Sequence, residues 1–404
     1  MFLEERREKI IDYLDDMERV SVAWLATTFD VTKETIRSDL AALARQGLVQ
    51  RCHGGAIIVR RNLQAKLITE TGGNFEVLLK RLESQRHKNQ HQRKRSKNMK
   101  GKVCILGSFN VDIVAKVARF PKGGESLLAL GSTLGPGGKG ANQAMAASHA
   151  GARVHFVSKV GTDQFSQFAF DHLSASDIHS FKLYQTDIEP TGNAIIYVSQ
   201  ENGENMIAIY SGANKTITDD EVAELTHELS TSDVLLLQLE NNFSATLNAM
   251  KLANTLGVPV IMNPAPFSSD IISCLQYADV VTPNETEASL LSGIEVTDLE
   301  SAKEAALAIV RKGARRVIIT MGSRGALICD NQQFQHIAAF PALSVDTTGA
   351  GDAFNGAFAA AIASGDSIAQ AATYASAFAS LAVEREGASN MPDHQQVAAR
   401  LAQR

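Results

Sequence analysis

The chain has 404 residues, enough for two or three domains, and its 45% hydrophobic and 21% charged residues are ordinary proportions for a soluble globular protein. Its net charge is −5, although residues 80–102 hold ten Lys or Arg and only one acid. The four cysteines are scattered, which excludes a disulfide framework and a cysteine metal site and predicts a cytoplasmic protein. The charged start "MFLEERREKII" predicts no signal peptide, and no apolar run reaches the roughly 18 residues that a membrane span needs.

Residues 1–60 have the pattern of a small helical unit. "SVAWLATTF" predicts a helix with Ser21 as its N-cap, and "VTKETIRSDLAALARQG" predicts another helix between Thr32 and Gly47. Two β-prone runs follow and predict a hairpin around His53-Gly54-Gly55. An earlier helix is indicated by the spacing of Leu3, Ile10, Ile11 and Leu14. Two short helices separated by a tight turn predict a helix-turn-helix.

This stretch resembles the winged helix-turn-helix of DeoR-type bacterial repressors. The matching positions are Arg6, Ile10, Leu14, Thr32, Thr35, Ile36, Arg37, Asp39 and Leu40, followed by the wing "RCHGGA". The resemblance implies operator DNA as a partner, contacted by the first turns of the recognition helix through Thr32, Lys33, Thr35 and Arg37. From the residues alone, a three-helix bundle without DNA affinity is the alternative.

Residues 61–100 differ in composition from both neighbours. "ESQRHKNQHQRKRSKN" has almost no apolar residue, so it cannot bury enough surface to fold by itself. The sequence therefore predicts a basic flexible linker, which is either simply solvated or placed near DNA.

From residue 101 to residue 404 the pattern alternates between strands and helices. β-prone runs such as "VCILGSFNVD", "DVLLLQLE" and "RVIITMGSRG" predict a mainly parallel sheet that helices cover on both faces. Ligands of such sheets bind at the carboxyl ends of the strands. The polar and glycine residues at these ends are Asn110, Asp112, Glu240, Asn284, Glu287 and Gly322 to Gly325.

Two glycine clusters precede predicted helices. "GPGGKGANQA" (135–144) would let the backbone approach a polyhydroxyl ligand closely, with Asn142 in the first helical turn. "DTTGAGDAFNG" (346–356) places Asp352 directly after small residues at a helix start, which predicts a base beside a phosphate site. We expect a bulky residue at Gly349 or Gly351 to lower the rate more than the stability.

Together these segments resemble the ribokinase (PfkB) family of sugar kinases over residues 103–403. "GGKGANQA" and "DTTGAGDAFNGAF" match its two signature regions, and "NPAP", "TPNETE" and "GENMIAIYSGAN" match further ones. The resemblance implies an α/β fold, a ribokinase-like parallel-sheet sandwich with a small β lid built from "KVARFPKGGESLLALGSTLG" and "TGNAIIYVSQENGENMIAIYSGAN". It also implies a homodimer formed through that lid.

The resemblance implies a role for each matching residue. Asp352 is the general base, with the backbone amides of Thr348, Gly349, Ala350 and Gly351 as an anion hole. The implied sugar set is Asn110, Val111, Asp112, Gly138, Lys139, Gly140, Ala141, Asn142, Glu240 and Asp352. The implied nucleotide set is Asn284, Thr320, Met321, Gly322, Ser323, Arg324, Gly325, Gly351, Asp352 and Ser376.

The same resemblance implies ATP, Mg²⁺ and K⁺ as cofactors. Glu287 is the residue associated indirectly with magnesium. The implied potassium ligands are Asp346, Thr348, Ala382, Arg385, Gly387 and Asn390.

The function implied is ATP-dependent phosphorylation of a pentose, D-ribose first, by a kinase attached to a transcription-regulator head. Deoxyribokinase or another PfkB sugar or nucleoside kinase is one alternative. A sugar-sensing regulator with a weakly active kinase fold is the other. The intact base and glycine cluster favour an active enzyme.

Overall fold

The computed structural model describes residues 6, 7, 9–11, 13, 14, 19–45, 49–52, 55–58, 75–89, 101–201 and 203–403. The chain divides into two compact units, an N-terminal unit (Met1–Leu78) and a C-terminal unit (Leu79–Arg404). Leu3, Gly47, His53 and Gly54 lie outside the described residues. Among the helices described, none has the length and apolar character required to cross a membrane.

The N-terminal unit is helical where residues 6–14 are described, and it continues with two helices and three short strands. In chain order these are β1 (Arg19–Ser21), α1 (Val22–Phe29), α2 (Lys33–Arg45), β2 (Val49–Cys52) and β3 (Gly55–Ile58). Both predicted N-caps are confirmed, because Ser21 Oγ accepts from the Trp24 amide at 3.1 Å and Thr32 Oγ1 accepts from the Thr35 amide at 3.2 Å. The strand order is β1-β3-β2, so the strands of the predicted hairpin pair antiparallel.

Four apolar residues that carry the helix-turn-helix resemblance lie in the interior of this unit. Ile10, Leu14, Ile36 and Leu40 are buried in one apolar cluster. Asp39, which is 1% exposed, also faces this interior. These positions therefore hold the recognition helix in place and leave its other face to solvent.

Helix α3 (Phe75–Asn89) lies inside the stretch for which the sequence predicts a flexible linker. That prediction is wrong for this part of the chain. Phe75, Leu78, Leu79 and Leu82 follow the i, i+3, i+4, i+7 spacing of one helix face, and each is at most 9% exposed. The polar composition of the whole stretch concealed this short apolar face. Residues 59–74 and 90–100 lie outside the described residues.

The C-terminal unit contains two sheets. Its strands in chain order are β4 (Lys102–Leu106), β5 (Asn110–Val117), β6 (Gly131–Gly137), β7 (Arg153–Val160), β8 (Ser180–Gln185), β9 (Asn193–Ser199), β10 (Asn205–Tyr210), β11 (Val234–Leu237), β12 (Val260–Met262), β13 (Val280–Val281), β14 (Arg316–Thr320), β15 (Ala326–Asp330) and β16 (Gln333–Ile337). The central sheet has nine strands in the order β16-β15-β14-β13-β12-β11-β4-β7-β8, and the smaller sheet has four in the order β10-β9-β5-β6.

Helices connect and cover the strands of the C-terminal unit. They are α4 (Lys139–His149), α5 (Gln164–Ala175), α6 (Asp219–Ala223), α7 (Thr226–Thr231), α8 (Phe243–Leu256), α9 (Glu285–Ser292), α10 (Leu299–Arg311), α11 (Ala350–Ser364), α12 (Ile368–Ala382) and α13 (His394–Leu401). Short 3₁₀ helices span Gly212–Lys215, Ser269–Tyr277 and Gly322–Arg324.

The central sheet is parallel except for β15 and β16, which pair antiparallel at one edge. Every side chain of β11 is buried, as expected for a parallel strand covered on both faces. Helices α8 and α11 both pack on this strand. The predicted mainly parallel α/β sheet is therefore confirmed.

The four-stranded sheet, called the lid below, is the second predicted part of the fold. Its strand β5 begins at Asn110, and only three residues separate it from the end of β4 at Leu106. The sequence predicts one β-prone run over "VCILGSFNVD", but the structure divides this segment between the two sheets. The break falls at Gly107, where an added Cβ would lie 2.5 Å from the Cα of Gly140. Asn110 and Asp112 consequently belong to the lid.

Candidate active site

Asn214 fixes Asn110 at the point where the chain crosses between the lid and the central sheet. The Asn214 side-chain amide donates to Asn110 Oδ1 at 2.9 Å and to the Phe109 carbonyl at 3.0 Å. Asn214 Oδ1 accepts from the Phe109 amide at 3.1 Å. Because Asn214 follows β10, its side chain joins the connection that leads into β5 to the connection that leads out of β10. Asn110 is 3% exposed, and its neighbour Val111 is fully buried.

Asp112 lies two residues further along β5 and faces the carboxylate of Glu240 from a partly buried position. Two causes raise the pKa of Asp112 to about 6: burial is the larger, and the negative charge of Glu240 is the smaller. Gly137 on β6 lies directly against it, since an added Cβ would come within 2.1 Å of Asp112 Oδ1. This close contact explains the need for glycine at this point of "GPGGKG".

The loop between β6 and α4 closes on Glu240. The Lys139 amide donates to Glu240 Oε2 at 3.0 Å, and the Ser108 hydroxyl donates to the same oxygen. Gly138 has φ of 90°, and a Cβ there would lie 2.9 Å from the Asn110 amide nitrogen. The structure thus brings the predicted sugar set together at the carboxyl end of the sheet. Ala141 and Asn142 are also part of this loop and first turn, and both are buried.

The Lys139 side chain lies within the electrostatic influence of three carboxylates. Asp352 is the largest cause of its raised pKa, burial opposes the shift, and Glu240 and Glu287 add to it. Burial raises the pKa of Glu287, while its hydrogen bond from Asn284 and the charge of Lys139 oppose this. One cation therefore links the residues predicted for the base, the sugar and magnesium.

Asp352 occupies the first turn of α11 and is 6% exposed. Its two carboxylate oxygens accept from different residues of α4. The Asn142 amide donates to Oδ2 at 3.1 Å, and the Gln143 amide donates to Oδ1 at 2.9 Å. The Ser389 hydroxyl in turn donates to Asn142 Oδ1 at 3.1 Å. The predicted base is thus buried beside the predicted sugar loop.

Two amides of the predicted anion hole are engaged inside their own loop. The Thr348 amide donates to Asp346 Oδ1 at 2.8 Å, and the Ala350 amide donates to a preceding backbone carbonyl at 3.1 Å. The amides of Gly349 and Gly351 are the remaining donors for an anion. The predicted hole is therefore smaller than the sequence suggested, because the chain turns tightly before α11.

Gly349 and Gly351 differ in the space around them. Gly349 has φ of 78°, and a Cβ there would lie 2.7 Å from the Ala388 Cβ. Gly351 has no atom within 4 Å of an added Cβ. For Gly351 we still predict that a larger residue lowers mainly the rate. At Gly349 a larger residue would also lower stability, because the backbone there needs a left-handed φ.

The residues predicted to bind nucleotide lie on two adjacent loops. Asn284 and Glu287 form a capping box at the start of α9, with the two amide-to-side-chain bonds at 2.8 and 2.9 Å. Asn284 forms a parallel bridge with Thr320 at the end of β14. Arg324 donates to Glu285 and to a backbone carbonyl after α9, which holds the second loop against the first.

A surface cavity of about 440 Å³ opens beside the second of these loops. Its volume is within the range of small-ligand sites. The residues that line it are Leu299, Met321, Ser323, Arg324, His336, Ala338 and Ala339. Gly322 and Gly325 have φ of 54° and 88°, which allows this tight loop. Ser376 is half-buried in α12, a helix that packs against β15 and β16.

Asp346 joins the two chain segments predicted to hold potassium. Its Oδ1 accepts from the Thr348 amide at 2.8 Å, and its Oδ2 accepts from the Gly387 amide at 3.0 Å. Burial alone would raise its pKa, but the hydrogen bonds from Thr348 and Gly387 outweigh burial and lower it. Asp346 is therefore a negative charge at neutral pH, as a cation site requires.

The other predicted potassium residues lie on the second segment, 382–390. The Arg385 amide donates to the Ala382 carbonyl at 3.1 Å, and the Asn390 amide donates to the Gly387 carbonyl at 3.2 Å. The Arg385 guanidinium points away from this turn, donating to Met391 O at 2.9 Å. Each of these carbonyls keeps a second lone pair, so the donor set fits a monovalent cation held by backbone oxygens.

The residues predicted to contact DNA lie on the first turns of α2. Thr32, Lys33 and Arg37 are exposed, and Thr35 is half-buried with its hydroxyl 2.9 Å from that of Thr32. Arg37 Nη1 donates to Glu34 Oε2 at 2.8 Å. The structure thus presents all four side chains at one end of the recognition helix.

Several polar residues of the site carry no role in the sequence interpretation. Asn214 and Asn263 lie within the quoted segments "YSGAN" and "NPAP", and Gln143 directly follows Asn142. Ser108, Gln238 and Ser389 are the others. The sequence signal for Gln143 is an amide inside a helix of small residues, because such a helix packs closely and a buried amide needs hydrogen-bond partners.

Two family models match the chain. Residues 100–395 match the pfkB family carbohydrate kinase model, and residues 6–62 match the DeoR-like helix-turn-helix domain model. The first match spans most of the chain, and the second coincides with the helices and strands of the N-terminal unit.

Individual proteins agree with these matches. A ribokinase of Staphylococcus aureus (strain COL) is 38% identical over 292 residues, 72% of this chain and 96% of that protein. A deoxyribokinase of Salmonella typhi is 35% identical over 258 residues, 64% of this chain and 84% of that protein. The structure of Arabidopsis thaliana ribokinase complexed with ribose and ATP is 31% identical with a TM-score of 0.69, covering 75% of this chain and 99% of that one. The chain therefore belongs to the pfkB family of carbohydrate kinases and carries a DeoR-like helix-turn-helix domain ahead of its kinase domain.

Proposed function

We propose that this protein phosphorylates D-ribose with ATP to give D-ribose 5-phosphate and ADP. The observation that carries the proposal is the buried carboxylate of Asp352, bonded to Asn142 of the sugar loop and next to the glycine amides at the start of α11. A buried acid is costly unless it is used or paired. The likeness to ribokinases, one of them complexed with ribose and ATP, supports ribose as the sugar.

Asp352 acts as the general base in this proposal. It takes the proton from the 5-hydroxyl of the sugar while that oxygen forms a bond to the γ-phosphorus. The bond between this phosphorus and the bridging oxygen breaks, and ADP leaves with the electron pair. Phosphoryl transfer depends mainly on positioning and charge, so the base needs only a fixed orientation beside the hydroxyl.

Charge on the transferred group is met by this chain's own donors. The amides of Gly349 and Gly351 lie at the N-terminus of α11, where an anion is favoured. Lys139 adds a positive charge that interacts with both Asp352 and Glu287. Glu287 would hold magnesium through water, and that ion neutralises phosphate charge when it arrives with ATP. The loop of Thr320 to Gly325 would hold the nucleotide, with the adjacent cavity as space for part of it.

Asn110, Asp112 and Glu240 would select the sugar. Carboxylate and amide oxygens accept hydrogen bonds from neighbouring hydroxyls, which suits a polyol. Deoxyribose lacks one of these hydroxyls and would leave a buried acceptor without a partner. Sites built to bind a hydroxyl therefore discriminate strongly against an analogue that lacks it. The lost hydrogen bond favours ribose, and the similarity to a deoxyribokinase makes deoxyribose the competing sugar to test.

A kinase assay over a sugar panel tests the proposal. D-ribose, 2-deoxy-D-ribose, D-fructose and adenosine are each offered with Mg-ATP, and we expect the highest kcat/KM for D-ribose. Asp352→Asn should lower kcat by about 10²- to 10⁴-fold. Asp366→Asn, the same change on an exposed carboxylate after α11, is the matched control and should leave kcat unchanged. A preference for deoxyribose would make deoxyribose the substrate in place of ribose. If no sugar were phosphorylated, the result would favour a sugar-sensing regulator.

We further propose that the DNA-binding head regulates transcription at an operator and acts as one of a pair. A single small head contacts few bases, so two half-sites are needed for specificity. The outer face of the lid offers a surface for pairing two copies. Directly paired residues share a face of a sheet, and this face, opposite Asp112, exposes Leu134, Ile195, Tyr197, Met206 and Tyr210.

Sedimentation of the full chain tests the pairing. The parent should sediment as a dimer, and Ile195→Lys should give monomers because it places a charge inside the apolar contact. Leu290→Lys, at an equally exposed position of α9, is the matched control. A monomeric parent, or a dimer that survives Ile195→Lys, would contradict this part of the proposal.

A further inference from the structure

A line of buried side-chain amides ends on Asp352. Gln143 Nε2 donates to Asp352 Oδ1 at 2.9 Å and to Asn263 Oδ1 at 3.0 Å. Gln238 Nε2 donates to Gln143 Oε1 at 2.6 Å. Gln143, Gln238 and Asn263 are 0%, 2% and 5% exposed, so water does not compete for these bonds.

The direction of each bond in this line follows from the charge of Asp352. An ionised carboxylate only accepts hydrogen bonds, so Gln143 must turn its NH₂ toward Asp352. The oxygen of Gln143 then faces Gln238, which must donate in turn. Within the described part of the chain, Gln238 Oε1 is left buried without a hydrogen-bond partner, and it lies against Gly107. Leaving an acceptor buried without a partner is unfavourable, so this arrangement is the one expected where Asp352 requires a donor from Gln143.

The far ends of the line are held by the central sheet. Gln238 directly follows β11, and Asn263 directly follows β12. The Asn263 amide donates to the carbonyl of Thr282, which directly follows β13, at 3.2 Å. Three adjacent parallel strands therefore anchor the amides that reach the base.

A close helix contact brings Gln143 within reach of Asp352. Gly356 lies one turn after Asp352 on α11, and a Cβ there would lie 2.4 Å from the Gln143 carbonyl oxygen and 2.6 Å from the Ala146 Cβ. Helices α4 and α11 therefore touch backbone to backbone at this point. A larger residue would separate them and lengthen the bond from Gln143 to the base.

We propose that Gln143 is a positioning residue for the proposed base, locked in orientation by Gln238. Gln143 holds Asp352 Oδ1 while Asn142 holds Oδ2, so the plane of the carboxylate is fixed where the sugar hydroxyl arrives. The inference rests on the proposed role of Asp352. Because Gln143 is fully buried behind Asp352, its loss should lower kcat and leave the binding of sugar and ATP unchanged.

Steady-state kinetics of the full chain test this, with Mg-ATP and the best sugar of the panel. Gln143→Met removes the donor with little change in volume, and we expect kcat to fall about 10- to 100-fold with both KM values within about twofold. Gln238→Met, one side chain further from the base, should give a smaller fall in kcat. Gln335→Met, the same change at an exposed strand position, is the control and should match the parent. Thermal unfolding of each variant separates misfolding from misorientation.

A double-variant cycle separates positioning from general packing. If Gln238 acts through Gln143, the double variant should have the kcat of Gln143→Met alone. In the Asp352→Asn background, Gln143→Met should cause no further loss. Effects that multiply in the double variant, a raised KM with unchanged kcat, or a parental kcat in Gln143→Met each overturn the proposal. A parental kcat in Asp352→Asn overturns the proposed base itself, so the two failures are distinguishable.

Discussion

Arg6 and Asp39 form an ion pair inside the N-terminal unit. Arg6 Nε lies 2.7 Å from Asp39 Oδ2, and the two side chains are 9% and 1% exposed. Arg7 donates to the other oxygen of Asp39 at 3.0 Å. The pair joins the first helical segment to α2, so it fixes the recognition helix whose outer face carries the predicted DNA contacts.

Asp39→Ala should unfold the N-terminal unit more easily, because a buried arginine that loses its partner costs about 3–5 kcal/mol. Trp24 is the only tryptophan of the chain, and its ring packs edge-on against Tyr13 with centroids 5.0 Å apart. Its fluorescence during urea unfolding therefore reports on this unit alone. Glu34→Ala removes an exposed acid of the same helix and should change the free energy of unfolding by less than about 0.5 kcal/mol. Equal midpoints for Asp39→Ala and the parent would contradict the role of the pair.

Arg37→Ala should weaken binding to operator DNA and reduce the salt dependence of binding by about one unit of slope, as expected for one lost phosphate contact. The DNA comes from sites enriched in a genome-wide pull-down, and anisotropy at several salt concentrations measures the slope. Glu34→Ala is the paired variant. It frees Arg37 from its partner at 2.8 Å and should strengthen binding. Sugar phosphorylation should be unchanged in both, and undiminished DNA binding by Arg37→Ala would exclude this arginine from the interface.

Gly349→Ala and Gly351→Ala should separate stability from rate. Gly349 has a left-handed φ of 78° and no room for a Cβ, so alanine there should lower the free energy of unfolding by about 1–2 kcal/mol. Gly351 lies inside α11 with open space around it, and alanine should raise helix stability by up to about 1 kcal/mol. Its methyl group would nevertheless occupy the space of the phosphate and lower kcat. Urea unfolding and kinetics on the same preparations decide this, and parental turnover in Gly351→Ala would place the phosphate elsewhere.

Sugar affinity should weaken as the pH falls through about 6. Burial and Glu240 raise the pKa of Asp112 to about 6, so Asp112 holds its proton up to a higher pH than an ordinary carboxyl. Each pH unit below that value leaves about tenfold less of the ionised acceptor. Calorimetric titration with D-ribose between pH 5 and pH 8, with acetate and phosphate buffers matched in ionic strength, measures the Kd. Asp112→Asn should bind weakly at every pH, and a pH-dependent Kd that persists in this variant would assign the titration to another group.

Potassium should activate the enzyme, and Asp346→Ala should abolish the activation. Asp346 carries the negative charge of the predicted site and accepts amide bonds from Thr348 and Gly387, so its loss both removes the charge and separates the two segments. Activity is compared in sodium-only and potassium buffers of equal ionic strength. Asp366→Asn serves again as the exposed control and should keep the response. Equal activity of the parent in both buffers would remove potassium from the mechanism.

Local patterns in the sequence predict much of the fold and part of the candidate active site. The glycine clusters around Gly138 and Gly351 predict their helix starts because the required backbone geometry is encoded within a few residues. Asp352 is identified by its place in that pattern. The break before Asn110 depends instead on the contact between Gly107 and Gly140, which no short window contains.

The amides behind the base depend on residues still further apart. Gln143 and Gln238 are separated by 95 positions, and Gln143 and Asp352 by 209. Periodicity marks buried faces of helices and strands, but it does not say which buried polar groups meet. The apolar face of α3 was missed for a different reason, since four leucine and phenylalanine side chains were averaged with a strongly basic neighbourhood.

Asn214 ties together two of the four connections between the lid and the rest of the C-terminal unit. Its side chain binds Phe109 and Asn110 where the chain first enters the lid, and Asn214 itself lies just after the chain leaves β10. The start of β5 and the end of β10 cannot separate while these bonds persist, so we expect any opening of the lid to move both strands together. In such an opening, the proposed sugar acceptors Asn110 and Asp112 move together with the lid. Release of the product and entry of water into the pocket would then occur in one movement.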